Sequence, residues 1–263
     1  MTRALVFDSG VGGLSVVAEI RKRLPALRLD YAADDAFRPY GEKTPEQLRA
    51  RLPGLVRTLA DMAGADIIII ACNTASVTAL ADIRAESRVP VVGVVPAVKP
   101  AALATQTGAI GVLGTPATIR QSYVDDLIRD FAPGQDVRLH GSVALVRIAE
   151  DLLEGMEPDP DELRAEVAPL FSGQGTPIDT VVLACTHFPL LRDHLAAVAP
   201  RPVQWVDSGQ AIARRVESLL PDIGDRADRP DTAFLIGPEV STARCKAFKR
   251  FGFPRVVPLE QRV

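Results

Sequence analysis

Apolar and polar positions along the chain fall into blocks, first at the length of a strand and then with the period of a helix. Ala4-Leu5-Val6-Phe7 is a short apolar run closed by Asp8-Ser9-Gly10, and Val11-Gly12-Gly13 leads into Leu14–Leu24. That second stretch places Leu14, Val17, Ala18, Ile20 and Leu24 at helical spacing and stops before Pro25, as an amphipathic helix does. Leu29–Ala33 predicts a second strand, and Pro45–Ala63 a long amphipathic helix interrupted at Pro53. Ile67-Ile68-Ile69-Ile70 is β-branched at every position, which suits a parallel strand covered on both faces.

The same grammar recurs further on. Val91–Val95, Ile110–Leu113 and Val181–Leu183 predict strands, and Thr118–Phe131 and Ser142–Leu153 predict helices. Strands alternating with helices imply βαβ units and a mostly parallel sheet. Val95–Pro100 and Pro200–Asp207 read as crossovers between lobes, and Glu157–Asp161 and Gly173–Pro177 as surface loops. Beneath this lies an internal repeat. Ile67-Ile68-Ile69-Ile70-Ala71-Cys72-Asn73-Thr74 and Thr180-Val181-Val182-Leu183-Ala184-Cys185-Thr186-His187 share one plan: apolar strand, alanine, cysteine, then two polar residues able to open a helix. Two similar α/β lobes are expected, each presenting a cysteine at the carboxyl edge of its sheet, where open α/β folds bind ligands.

Composition narrows the function. At 263 residues the chain makes one large or two modest domains. A net charge of −3 and 5% aromatic residues exclude a basic, base-stacking surface, so nucleic acid is not a primary partner. The apolar runs fall far short of a membrane span, and Met1–Gly10 does not read as a signal peptide. Three cysteines without a secretory context argue against a disulfide scaffold. A reduced, cytoplasmic protein is expected.

A thiol at a strand end, followed by a helix N-terminus, is placed for activation, because the helix dipole and free N–H groups favour the thiolate. The same N–H groups, with Asn73, Thr74 and Thr186, can hold a carboxylate. Inverting a carbon centre by proton transfer requires one acid–base group on each face, and two cysteines meet that need. Asp8 and His187 are the natural helpers, one for each lobe. A cysteine at a strand end is more often core packing than chemistry; the repeated motif singles out Cys72 and Cys185, while Cys245 on a basic helix pattern keeps the packing role. His140 and His194 lack a comparable neighbour. Asp8-Ser9-Gly10 also fits a plain strand-to-helix turn. Gly10-Val11-Gly12-Gly13 matches neither a dinucleotide fingerprint nor a P-loop. No Cys/His spacing fits a zinc site, and none of the five lysines lies beside these motifs to carry pyridoxal phosphate. Chemistry without a cofactor or metal is the simpler expectation.

At these residues the chain closely resembles the glutamate racemases, within the aspartate/glutamate racemase superfamily. The resemblance runs through Phe7-Asp8-Ser9-Gly10-Val11-Gly12-Gly13-Leu14, Pro39-Tyr40-Gly41-Glu42-Lys43, Ala71-Cys72-Asn73-Thr74-Ala75-Ser76 and Val92-Gly93-Val94-Val95-Pro96. It continues in Ala184-Cys185-Thr186-His187-Phe188-Pro189-Leu190-Leu191 and Val206-Asp207-Ser208-Gly209. It implies two pseudo-symmetric, doubly wound α/β lobes, residues 1–95 completed by 208–263 and residues 96–207, with the active site in the cleft between them. It implies that Cys72 takes the α-proton from D-glutamate and Cys185 from L-glutamate, with Asp8 supporting the first and His187 the second. Ser9, Tyr40, Gly41, Asn73, Thr74, Thr115, Thr118 and Thr186 match positions that hold the amino acid. Glu150 matches an acid near the second cysteine, although Ser142-Val143 stands where some members carry Cys-Pro. No cofactor or metal, a homodimer, and a product feeding peptidoglycan synthesis complete the expectation. Three alternatives stay open: a racemase or decarboxylase of aspartate or another small acid, a cysteine hydrolase built on His187, and a non-catalytic anion-binding module. The first is separated from glutamate by only about 1–3 kcal/mol per methylene.

Overall fold

In the computed structural model, which describes residues 2–173, 175–220, 229–237 and 240–260, the blocks of apolar residues become strands of two parallel sheets. The chain divides into two units, Met1–Val94 with Gly209–Val263, and Val95–Ser208. The first begins with β1 (Arg3–Asp8), α1 (Leu14–Arg23), β2 (Arg28–Ala33), α2 (Pro45–Ala63), β3 (Ile67–Ile70), α3 (Asn73–Glu86) and β4 (Val91–Gly93). The second holds α4 (Val98–Ala104), β5 (Ala109–Gly114), α5 (Pro116–Ile119), α6 (Ser122–Phe131) and β6 (Asp136–Gly141). It continues with α7 (Ala144–Glu154), α8 (Pro160–Phe171), β7 (Thr180–Ala184), α9 (Arg192–Val198) and β8 (Gln204–Val206). The chain then returns to the first unit with α10 (Gly209–Leu219), β9 (Thr232–Ile236), α11 (Thr242–Arg250) and β10 (Arg255–Leu259).

Strand order in the first unit is β10-β9-β2-β1-β3-β4, and in the second β6-β5-β7-β8. Every pairing among the described residues is parallel. Parallel strands need cover on both faces. In the second unit, Leu113, Val181 and Leu183 pack on α7, α8 and α9 through Leu145, Ile148, Leu163, Val167 and Leu195. Ile110, Val112 and Val182 face the other way, onto Val98 and Ala101 of α4 and Leu127 of α6. In the first unit, Leu5, Phe7, Ile68 and Ile70 pack on Leu48, Leu52, Leu55 and Leu59 of α2 and on Ala75, Ala79 and Ile83 of α3. The alternate residues Ala4, Val6, Ile67 and Ile69 are equally buried. Each such side chain contributes about 1.5–3 kcal/mol by leaving water, less for alanine.

Several boundaries differ from the pattern in the sequence: Pro200–Asp207, read as a crossover, contains β8, and the strand predicted over Val91–Val95 ends at Gly93. The helix over Pro45–Ala63 is not broken at Pro53. The backbone bond that proline lacks is offset by burial of Leu48, Leu52, Leu55, Val56 and Leu59 and by a capping box, in which Thr44 and Gln47 each bond the other's backbone N–H. The helix predicted over Thr118–Phe131 is two: α5 is a single turn opened by Thr115, whose hydroxyl accepts Thr118 N–H at 3.2 Å, and α6 starts afresh at Ser122. The start of the helix predicted from Ser142 moves to Ala144, with the Ser142 hydroxyl accepting Leu145 N–H at 3.0 Å. Pro160, placed in a loop by its neighbours, opens α8 behind an Asp159 cap.

Asp179 ties the start of β7 to the turn before β5. Its carboxylate accepts from Thr105 Oγ1 at 2.6 Å, Gln106 N at 2.8 Å, Thr107 N at 3.0 Å and Thr180 Oγ1 at 3.0 Å. Desolvation alone would raise its pKa, but these donors outweigh it and bring it down to about 2. A folded value below the unfolded one means the stabilisation is full above about pH 4 and fades as pH falls through about 2. Asp179→Asn is expected to lose about 1 kcal/mol at neutral pH, the carboxylate being partly solvated, and to flatten the acid limb. Urea melts of both proteins between pH 7 and pH 2 check this; equal acid limbs would show that the carboxylate contributes nothing.

Candidate active site

Where consecutive connections lead to opposite sides of a strand, the loops part and leave a crevice at its carboxyl end. β1 is such a strand, with β2 on one side and β3 on the other; β5 is its counterpart, between β6 and β7. Phe7 lies opposite Ile70, so Asp8-Ser9-Gly10 and Ala71-Cys72-Asn73 leave the first sheet side by side. Gly114 lies opposite Ala184, which brings Thr115 and Cys185 out of the second sheet in the same way.

In the first unit Cys72 is the N-cap of α3, and its sulfur accepts Ala75 N–H at 3.5 Å. The thiol lies 3.7 Å from Ser9 Oγ, to which it donates. Helix N-terminal N–H groups favour the charged sulfur. Asp8 is fully buried and accepts Gly10 N–H at 3.2 Å. Asn73 and Thr74 occupy the buried first turn of α3. The Asn73 Oδ1 is buried without a hydrogen-bond partner among the described residues, an acceptor with capacity for an incoming N–H. Ser76 pins this turn to the sheet, donating to Ile70 O at 3.1 Å and accepting from Val94 N at 3.0 Å.

Tyr40 and Gly41 stand in a 3-10 turn after β2. The Tyr40 hydroxyl donates to Asp34 Oδ2 at 2.7 Å, and Arg51 of α2 grips the same carboxylate at 2.7 and 2.6 Å. Burial, then the Asp34 charge, and more weakly that of Cys72, push the Tyr40 phenol well above its ordinary value, so it remains a donor. Asp34 and Arg51 escape a reading of motifs. The available signal is an acid directly after a predicted strand, the position Asp8 holds after the apolar run Ala4–Phe7.

In the second unit the Cys185 sulfur lies 3.7 Å from His187 Nδ1, and His187 Nε2 lies 3.3 Å from Glu150 Oε1 on α7. All three side chains are buried or nearly so. A carboxylate on the far nitrogen fixes the orientation and tautomer of an imidazole, and the near nitrogen can then exchange a proton with sulfur. The expected helix opening directly after Cys185 is displaced: a 3-10 turn spans Phe188–Leu191 and α9 starts at Arg192. Cys185 thus meets an imidazole, whereas Cys72 meets a helix N-terminus. Thr115 and Thr118 share a hydroxyl contact of 3.0 Å, and Thr186 is buried beside Cys185 in the chain. Cys245 is half-buried on α11. Among the described residues no group of three or more His, Cys, Asp and Glu side chains is arranged to hold a metal ion, and no helix is long and apolar enough to cross a membrane.

Comparison with known proteins places these motifs in a lineage. A family model described as Asp/Glu/hydantoin racemase matches residues 12–216. A glutamate racemase of Sphingopyxis alaskensis is 51% identical over 216 residues, 82% of this chain and 81% of its own length. One from Vibrio cholerae is 49% identical over 218 residues, 83% and 80% of the two chains. Among solved structures, Escherichia coli glutamate racemase in complex with L-glutamate and the activator UDP-MurNAc-ala is similar with a TM-score of 0.93, at 39% identity over 98% of both chains. The glutamate racemase isoform RacE1 of Bacillus anthracis gives a TM-score of 0.82 at 26% identity, covering 100% of this chain and 98% of its own.

Proposed function

Because this chain belongs to the Asp/Glu/hydantoin racemase family, we propose that it is a glutamate racemase in which Cys72 and Cys185 move the α-proton. Cys72, as thiolate, takes the proton from D-glutamate; the Cys185 thiol delivers its own to the opposite face of the planar carbanion. L-glutamate leaves, and the two sulfurs have exchanged protonation states. The reverse reaction runs from Cys185. A thiolate and a thiol together supply base and acid, so the step balances without a cofactor.

One observation carries this reading: each sheet bears a buried cysteine at its switch point, with a polar partner on the sulfur. Asp8 supports Cys72 from the adjoining strand, and His187, oriented by Glu150, supports Cys185. Asn73 and Thr74 of the first unit and Thr115, Thr118 and Thr186 of the second bind the amino acid, with Ser9, Tyr40 and Gly41. The unpartnered Asn73 Oδ1 suits the α-ammonium group. In the cell the enzyme works in the cytoplasm as a homodimer and supplies D-glutamate to peptidoglycan synthesis.

The Cys185–His187–Glu150 line also fits a nucleophilic thiol, which would form a covalent intermediate. Purified protein without added cofactor, incubated with L- or D-glutamate in D₂O, separates the readings. Racemisation followed by circular dichroism, deuterium at Cα, an unmodified protein mass and little turnover of aspartate are expected. Product carrying only protium, or a trapped acyl-enzyme, would remove the two-thiol scheme.

A further inference from the structure

The loop Asp8-Ser9-Gly10 is fastened by a side chain that belongs to no motif. Tyr31, on β2, is fully buried and donates from its hydroxyl to Gly10 O at 2.8 Å. Gly10 N–H is bound to Asp8 Oδ2 at 3.2 Å. Both polar backbone groups of Gly10 are therefore committed, and the preceding Ser9 has its hydroxyl 3.7 Å from the Cys72 sulfur. The Tyr31 ring is itself held edge-on by Phe248 of α11 and by Phe253, with centroids 5.2 and 5.8 Å away. A Cβ on Gly13 would lie 2.7 Å from the Tyr31 hydroxyl and 2.9 Å from Asp8 Cβ, so phenol, acid and the entry to α1 meet at one packed point without slack.

We propose that Tyr31 is a positioning residue for the Cys72 half of the site: through Gly10 its hydroxyl holds Ser9 against the sulfur. Only the use made of Cys72 rests on the racemase reading; the placement of Ser9 does not. Burial, then the Asp8 charge, drive the phenol well above its ordinary value, so Tyr31 stays protonated and acts as a donor alone. Tyr31 and Tyr40 are both coupled to this thiol; Tyr31 also feels the charges of Asp8, Asp35 and Arg244, and Tyr40 those of Asp34 and Arg51. When Cys72 ionises, the Ser9 hydroxyl can rotate to donate to sulfur, and a hydrogen bond to the charged form favours it. Without the Tyr31 hydroxyl the Gly10 carbonyl loses its buried donor, the loop relaxes and that stabilisation weakens.

The test is Tyr31→Phe in the full chain, with iodoacetamide labelling of Cys72 and Cys185 resolved by peptide mass spectrometry across pH. The Cys72 midpoint is expected to rise by about half a unit, slowing its labelling about 3-fold at neutral pH, while Cys185 is unchanged. Ser9→Ala should reproduce the shift, and the double variant should add nothing, as for two residues acting through one contact. An unmoved Cys72 profile, additive shifts, or faster labelling of both thiols would overturn the proposal, the last being the mark of general loosening. Should Tyr31→Phe fail to fold, Phe253→Leu, which frees one side of the ring, must move Cys72 in the same direction or the proposal falls. Labelling is read without turnover, so absence of racemase activity leaves this test intact.

Discussion

Cys72→Ala and Cys185→Ala are each expected to lower glutamate racemisation by at least about 10³-fold, within the range for losing an essential acid–base group. The loss must appear in both directions, since enantiomers have an equilibrium constant of one and kcat/KM is bound to be equal for them. The two variants nevertheless differ in what survives. A single remaining thiol can remove a proton and return one only on its own face. Cys72→Ala should therefore wash deuterium from D₂O into L-glutamate without inversion, and Cys185→Ala into D-glutamate. Proton NMR of the α-position, beside circular dichroism, reads exchange and inversion separately. Near wild-type inversion by either variant would end the two-thiol scheme.

His187→Asn is expected to lower turnover by about 10²-fold and to make the isotope effects unequal. The imidazole lies 3.7 Å from Cys185 and is braced by Glu150 at 3.3 Å, so its loss slows proton transfer at that sulfur alone. From L-glutamate, the slowed step is the first one, and α-deuterated L-glutamate should show a full primary effect. From D-glutamate, abstraction by Cys72 becomes a fast pre-equilibrium, so the substrate effect shrinks and the solvent effect grows. Asp8→Asn should give the mirror image. Equal effects on both enantiomers would mean that His187 does not serve Cys185 in particular.

Legibility in the sequence followed locality. Ile67–Ile70 announces itself as an unbroken apolar run, and Leu14–Arg23 by apolar residues at helical spacing. β6 does not: Asp136–Gly141 is an edge strand with charged residues and partial exposure, so it carries no apolar run. β9 is apolar, but its place beside β2 is set by pairings such as Tyr31 with Ala233, which no local pattern encodes. The site divides in the same way. Cys72 and Cys185 stand out through a motif repeated within a few residues. Glu150 is 37 positions from His187 and emerges from the sequence only through family resemblance. Asp34, Arg51 and Tyr31 have their polar partners 17 and 21 positions away, brought close by strand order and not by spacing.

The interruption of the first unit by the second has a consequence for the order in which the protein is made. Val95–Ser208 is one continuous stretch and can complete its sheet as soon as it emerges from the ribosome. The first unit cannot, because Thr232 N must reach Asp30 Oδ1, 202 positions back, and β9 must find β2. Such long-range closure is slow. A nascent chain thus holds a finished second unit while the β2 edge still lacks its neighbour, and the rings that brace Tyr31 are translated only after that unit. Trp205, the sole tryptophan, lies in the early-folding unit, so its fluorescence times that event and is blind to the later one.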